Sequence, residues 1–327
     1  TTEVEGLRTV TSVHAGPGDD VLQIQLQNTS SLFIANGQAG NDVLNASLSV
    51  LGVILFGDGG DDTLVGGSGK DIAFGDFGRV LWNEVNHTMD NIMERNRRDL
   101  RQETDSRILA VASSEVLKEA AGGGGYGDFT DGVIRTVSMI VSVGADVGGS
   151  DTLILGGEDD VGIGGPYSDV MYGDDGRDIL LGDSGFVDYA IGSDFPSYIS
   201  ILNCSLGAGD LLSGGPGLVD YLIGGTGDDI IQGNDGMDLA FGDHGWIILS
   251  DDVSYKLESA STSDASCGGG VDNITLGSGD DIAFGGALGD YIEGNEGQDV
   301  LLGDFGLWDS NVHFLPFQHY EPLIDSA

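Results

Sequence analysis

The sequence predicts an all-β solenoid of short stacked strands, with extra covering strands and one partly helical insertion. Three observations carry this. Asp and Gly make up nearly a third of the 327 residues, and both are poor helix formers. Aspartates recur at nine-residue steps in several tracts. Four of these tracts end at the same short Gly-Asp motif, and an apolar segment follows each one.

Composition narrows the function first. The chain has 12 basic and 54 acidic residues, a net charge of −42 and a pI near 4.1. Binding to nucleic-acid phosphates is excluded. At 40% hydrophobic residues it is not a chain too polar to fold. No apolar run reaches the roughly 18 residues of a membrane-spanning helix. The 57 glycines lack the period of collagen. Cys204 and Cys267 exclude a disulfide scaffold; one bridge between them is possible but not required. Of the acids, 42 are Asp and 12 are Glu. The short Asp side chain suits tight turns. Beside so many glycines it suggests oxygen-rich loops for a hard cation such as calcium.

The period comes next. Asp151, Asp160, Asp169 and Asp178 are nine residues apart. So are Asp220, Asp229 and Asp238, with Asp210 ten before them. Asp272, Asp281, Asp290 and Asp299 repeat the step. Asp62 and Asp71 repeat it near the start, and Asp20 and Asp42 lie in similar contexts. Around each Asp the text recurs, as in Gly224-Gly225-Thr226-Gly227-Asp228-Asp229-Ile230-Ile231-Gln232 and Gly66-Gly67-Ser68-Gly69-Lys70-Asp71-Ile72-Ala73-Phe74.

These nonapeptides resemble the glycine-rich repeat of the RTX family, the hemolysin-type calcium-binding repeat. The resemblance implies a right-handed parallel β-roll, with two nonapeptides to a turn of 18 residues. Asp151 would then stack over Asp169, and Asp160 over Asp178. It also implies Ca²⁺ between successive turns, held by sixth-position carboxylates and by backbone carbonyls of the Gly turns. The sixth-position candidates are Asp20, Asp42, Asp62, Asp71, Asp151, Asp160, Asp169, Asp178, Asp210, Asp220, Asp229, Asp238, Asp272, Asp281, Asp290 and Asp299. Asp58, Asp76, Asp174, Asp183, Asn234, Asp243, Asn295 and Asp304, in the Gly turns, are added as metal candidates. Carboxylates stacked about 5 Å apart would repel without a cation between them.

The longer period is set by Gly75-Asp76-Phe77-Gly78, Gly182-Asp183-Ser184-Gly185, Gly242-Asp243-His244-Gly245 and Gly303-Asp304-Phe305-Gly306. Nine residues past the preceding Asp, the expected Asp is replaced by Val80, Val187, Ile247 and Trp308, so the ladder is expected to stop there. The strands before each stop, such as Ile72-Ala73-Phe74, are apolar on both faces and need cover on both. The apolar segment after each stop is expected to fold back over the roll; a subunit interface is the alternative. The chain thus divides into a first tract (1–81), an insertion that is basic and partly helical (82–149), and further tracts at 150–209, 210–271 and 272–327. The insertion holds 7 of the 12 basic residues, which suits either a solvated face or docking onto an acidic surface.

Several short motifs invite an enzymatic reading and fail it. Gly182-Asp183-Ser184-Gly185 looks like a serine-protease nucleophile loop, but its counterparts carry Phe77, His244 and Phe305 where it has Ser184. Asp76-Phe77-Gly78 lacks the other kinase motifs. The histidines and cysteines show no zinc spacing. No catalytic residue is assigned. Five sequons, at Asn28, Asn45, Asn86, Asn203 and Asn273, suggest a glycosylated secretory protein. The expectation is a calcium-stiffened extracellular structural or adhesive protein. It would bind calcium ions and assemble with copies of itself or with other matrix or cell-surface components. The alternatives are an export and folding module of a larger secreted enzyme or toxin, and a carbohydrate-binding module using Trp82, Tyr189, Trp246 and Trp308.

Overall fold

The computed structural model describes residues 11–27, 32–82, 136–144, 146–190, 193–202, 205–250, 256–262 and 267–310. Every regular element among them is a strand. The chain winds as a coil that alternates between two parallel sheets. The first coils are β1 (Thr11–Pro17) with β2 (Val21–Gln23), β3 (Phe33–Ala39) with β4 (Val43–Asn45), and β5 (Val53–Gly59) with β6 (Thr63–Val65). The next coil begins at β7 (Ile72–Phe74) and then detours through a hairpin, β8 (Gly78–Trp82) and β9 (Val137–Ser142). It rejoins the roll at β10 (Thr152–Gly157). A plain coil follows, β11 (Val161–Ile163) with β12 (Val170–Asp175).

The same alternation then repeats. β13 (Ile179–Leu181) leads into the hairpin β14 (Gly185–Tyr189) and β15 (Pro196–Ile201), returning at β16 (Leu211–Pro216). β17 (Tyr221–Ile223) passes straight to β18 (Ile230–Asp235). β19 (Leu239–Phe241) leads into β20 (Gly245–Leu249) and β21 (Leu257–Thr262), returning at β22 (Asn273–Ser278). β23 (Ile282–Phe284) passes to β24 (Tyr291–Glu296), and β25 (Val300–Leu302) leads into β26 (Leu307–Asp309).

Three layers result. The odd-numbered roll strands form a ten-stranded parallel sheet, and their partners form a nine-stranded one. The detours join into a seven-stranded antiparallel sheet, in the order β26-β21-β20-β15-β14-β9-β8. Side chains alternate along each strand, so a three-residue strand sends its middle residue one way and its flanks the other. The middles, Leu153, Met171, Leu212, Ile231 and Ile274 from one sheet and Ala73, Leu180, Leu222 and Ala240 from the other, fill the roll interior. The flanks of the ten-stranded sheet, such as Phe74, Leu181, Phe241 and Phe284, pack against Val80, Ile140, Val187, Ile199, Ile247 and Ala260 of the antiparallel sheet. Phe56 stacks on Phe74 at 4.9 Å, and Phe241 on Phe284 at 4.6 Å. The segments after the stops therefore cover the roll within the same chain. A smaller apolar cluster, Met139, Val141, Phe186 and Tyr198, lies on the other face of that cover.

The step from Asp62 to Asp71 keeps the nonapeptide coil, with Ile54 beside Ile72; before it the coils are longer, Asp20 and Asp42 lying 22 residues apart and Asp42 and Asp62 lying 20 apart. Of the insertion expected over 82–149 to be partly helical, the described part contains the strand β9, and 83–135 lie outside the described residues. The hairpins return to the roll just after Asp151, Asp210 and Asp272, at β10, β16 and β22.

Candidate metal centres

Each turn between the two parallel sheets brings one sixth-position Asp to the side of the roll. On one side Asp20, Asp42, Asp62, Asp151, Asp169, Asp210, Asp229, Asp272 and Asp290 form a single ladder. In it the backbone N–H of each Asp donates to Oδ1 of the Asp one coil further on, at 2.6–3.0 Å. On the other side Asp71, Asp160, Asp178, Asp220, Asp238, Asp281 and Asp299 form a second ladder in the same way. Asp151 stacks on Asp169 and Asp160 on Asp178, as the nonapeptide period predicts. The ladder does not stop at the four stop motifs. Asp62 donates to Asp151 across 89 residues, because the hairpin leaves and returns within one coil.

The second oxygen of these carboxylates is the informative one. Oδ2 of thirteen ladder aspartates, from Asp42 to Asp290, is buried and accepts no hydrogen bond. Asp71 differs, its Oδ2 accepting the Gly67 N–H at 2.6 Å. A buried polar atom without a partner is costly, and an ionised one more so. Burial pushes these carboxyls far up: Asp169 to about 9, Asp160 to about 10 even with Lys70 acting against the rise, and Asp151 to about 7. Neighbouring ladder charges add to the rise at Asp169, through Asp151 and Asp183.

Backbone oxygens converge on the same places. A Cβ on Gly75 would fall within 3 Å of both Asp151 Oδ2 and the Gly164 carbonyl. Gly164 faces Asp169 Oδ2 and the Gly182 carbonyl, and Gly182 faces Asp210 Oδ2 and the Gly224 carbonyl. In the second ladder Gly173 faces Asp178 Oδ2 and the Gly214 carbonyl. Glycine is needed at this first turn position for close approach, not for a positive φ. Among the described residues no three His, Cys, Asp or Glu side chains form one cluster. The donors are carboxylate and carbonyl oxygens spread between coils, the oxygen-only set that suits Ca²⁺. The residues present fit the ion.

The added turn candidates separate into two kinds. Asp58 (φ 72°), Asp174 (φ 67°), Asn234 (φ 78°) and Asn295 (φ 71°) are left-handed, a conformation Asn and Asp tolerate. Asp174, Asn234 and Asn295 are exposed on the outside of the turn, as is Asp304; the charge of Asp174 adds to the rise of the Asp178 carboxyl and that of Asp304 to the rise of Asp290. Asp58 is buried near Asp42, and burial pushes its carboxyl up to about 6. Asp76, Asp183 and Asp243 are buried, have no positive φ and point into the first ladder. Gly149 N–H donates to Asp76 Oδ1 at 2.9 Å, Thr226 N–H to Asp183 Oδ2, and Gly270 N–H to Asp243 Oδ1 at 2.9 Å. The nine-residue rule could not separate these kinds. What separates them is the exit that follows: Gly78, Gly185 and Gly245 each open a cover strand, and a Cβ there would strike the rings or branches of Phe74, Leu181 and Phe241, whereas the Gly two residues after Asp174, Asn234 and Asn295 stays in the roll. Ser184 is the first residue of such an exit and is buried, with its carbonyl accepting the Leu202 N–H.

Four stretches, 54–79, 154–186, 217–245 and 277–306, match the family described as the RTX calcium-binding nonapeptide repeat, about a third of the chain in all. Each matched stretch ends at or just after an exit motif, beside Gly78, Gly185, Gly245 and Gly306. A comparison with curated proteins finds no match. Four stretches of the roll are therefore RTX calcium-binding nonapeptide repeats, and such repeats bind Ca²⁺.

Proposed function

We propose that this protein is a calcium-stiffened structural or adhesive element of the extracellular space, glycosylated and self-assembling, with the sixteen ladder aspartates as its calcium ligands. The carrying observation is the unbroken first ladder from Asp20 to Asp290. A cation between two coils ties them together, so a continuous row couples the whole length into one stiff body. Ions that bind only the folded chain add their binding energy to its stability. Such a chain would be poorly folded where calcium is scarce and rigid where it is abundant.

Other features support the extracellular part. Cys267 is disulfide-bonded, and the chain has one other cysteine; stable disulfides belong to oxidising compartments. Of the sequons, Asn45 and Asn273 lie on β4 and β22 of the nine-stranded sheet, and Asn273 is exposed. The Ser47 hydroxyl donates to Asn45 Oδ1 at 2.7 Å. Asn28, Asn86 and Asn203 lie outside the described residues. For assembly, the outer face of the nine-stranded sheet is not covered by any other element among the described residues and carries exposed Val21, Tyr172, Ile230 and Tyr291. The aromatic residues that suggested carbohydrate binding pack instead against the core: Tyr189 is buried, and Trp82 and Trp308 rest on the same cluster. Trp246 packs on the outer cluster of the cover. Electron microscopy of purified native material tests the reading. Filaments or sheets are expected in calcium, and monodisperse particles at every calcium concentration would contradict self-assembly.

A further inference from the structure

The three cover hairpins cut the roll at one kind of place. Each leaves from the end of a strand in the ten-stranded sheet and returns just before a strand of the nine-stranded sheet. The turn it interrupts belongs to the first ladder every time. An uninterrupted turn, such as Gly224 to Asp229, presents its carbonyls from one continuous stretch of chain. A cut turn must be assembled from two pieces: Gly75 and Asp76 before the hairpin, Gly148 to Asp151 after it. The rebuilt turn keeps its form, since Gly75 still faces Asp151 Oδ2.

Asp76 lies in the seam. Its carboxylate occupies the space a Cβ of Gly148 or of Gly165 would need, so it sits between the returning chain and the next coil. It is 4% exposed. Oδ1 takes the Gly149 N–H, and Oδ2 has no hydrogen-bond partner. Asp183 repeats the arrangement between Gly207 and Gly225 and is fully buried; the Thr226 and Ala208 N–H groups ease its charge, but Oδ1 makes no hydrogen bond of full geometry. The ladder charges that act on Asp76 most are Asp151 and Asp169. Asp243 occupies the third seam, but both its oxygens take N–H groups, from Gly270 and Ala287.

We infer that Asp76 and Asp183 each lend an extra carboxylate to a cation of the first ladder, creating two calcium positions that hold the ion more tightly than the ladder positions without it and that fasten a returning hairpin to the roll. This rests on the calcium reading of the ladders. The physical ground is the bare, buried oxygen at each seam, aimed among like charges that only a cation can satisfy. Affinity in oxygen-ligand calcium sites rises with ligand charge.

The test is a calcium titration of the full chain by isothermal calorimetry, with Asp76→Asn and Asp183→Asn beside Asp174→Asn. Asn preserves shape and an acceptor for the Gly149 or Thr226 N–H. Asp174 occupies the same turn position but is exposed. The wild type is expected to show a tight class and a weaker class. Asp76→Asn and Asp183→Asn should each remove about one ion from the tight class, and Asp174→Asn none. Hydrogen exchange at the Gly149 and Thr226 amides should quicken at limiting calcium in the matching variant and recover at saturation. An unchanged tight class in both seam variants overturns the inference, as does equal loss in Asp174→Asn. A seam variant that fails to fold even in saturating calcium also counts against it, because a ligand that only tightens one site is dispensable at saturation. If the wild type binds no calcium, the calcium reading itself falls instead.

Discussion

The first aspartate ladder runs from Asp20 to Asp290, whereas the second begins at Asp71 and ends at Asp299. The first is cut by three hairpins and receives Asp76, Asp183 and Asp243 at the cuts; the second is never cut. The two also differ in their neighbours. Lys70 acts on Asp160 and Arg177 on Asp220 in the second ladder, lowering their carboxyls against burial. Further acids act on both ladders, as on Asp169 and Asp229 in the first and on Asp178 and Asp238 in the second, but no side-chain cation is among the main influences on a first-ladder rung. One roll thus has a side that side-chain cations partly compensate and a side that depends on bound ions. The lesson is that identical repeat text does not make equivalent sites, because insertions change which charges surround each copy.

Substituting one rung in each ladder probes that difference most strongly. Asp169→Ala and Asp178→Ala should each lower bound calcium by about one ion, measured by equilibrium dialysis. Losing one ion costs about 2.7 kcal/mol where free calcium is about a hundredfold above its Kd. Asp169→Ala should lower Tm further, since it leaves Asp183 and the neighbouring rungs with less counter-charge. Equal shifts in the two variants would dissolve the distinction between the sides.

Acid offers a second probe. In the unfolded chain these carboxyls titrate near 3.8, whereas in the folded chain Asp169 reaches about 9 and Asp160 about 10. Below pH 3.8 both states are protonated and ionisation carries no penalty. As pH rises toward 9 or 10 the buried groups must ionise and folding stability is lost. Calcium-depleted protein should therefore keep more of its β structure at about pH 4.5 than at about pH 8, and calcium added at about pH 4.5, where the folded carboxyls still hold protons, should release them. A calcium-depleted β spectrum that strengthens as pH rises would contradict the burial of uncompensated carboxylates.

The smallest effect comes from the turns. Leu288 in a first-ladder turn and Glu158 in a second-ladder turn hold φ of 70° and 75°. Both are exposed. Leu288→Gly and Glu158→Gly should each stabilise by about 0.5 kcal/mol, the left-handed cost exceeding the extra chain entropy of Gly. Thermal melts in saturating calcium would show this, and a loss in either would mean that the side chain makes a contact beyond the turn.

Much of this was legible in the sequence. Nine-residue spacing puts Asp151 on Asp169 and Asp160 on Asp178, because two repeats make a coil wherever nothing intervenes. The same text could not say that Asp62 pairs with Asp151, since a hairpin of unknown length lies between them. The cover strands after the exits were visible as apolar runs. Their partners β9, β15 and β21 were not: Pro196-Ser197-Tyr198-Ile199-Ser200-Ile201 is a plain alternating strand that only the antiparallel pairing with β14 and β20 gives meaning. The buried Asp76 and Asp183 share their repeat position with the exposed Asp174. Composition treats them alike, and the chain's exit from the roll separates them.

The central claim is that calcium completes this fold. Circular dichroism of the full chain at neutral pH, with a strong chelator and then with excess calcium, tests it most directly. The account predicts that the β spectrum and cooperative melt are lost with chelator and regained with calcium, with bound ions released and retaken in step. A spectrum and melting temperature unchanged by the chelator, with no metal released, would contradict it.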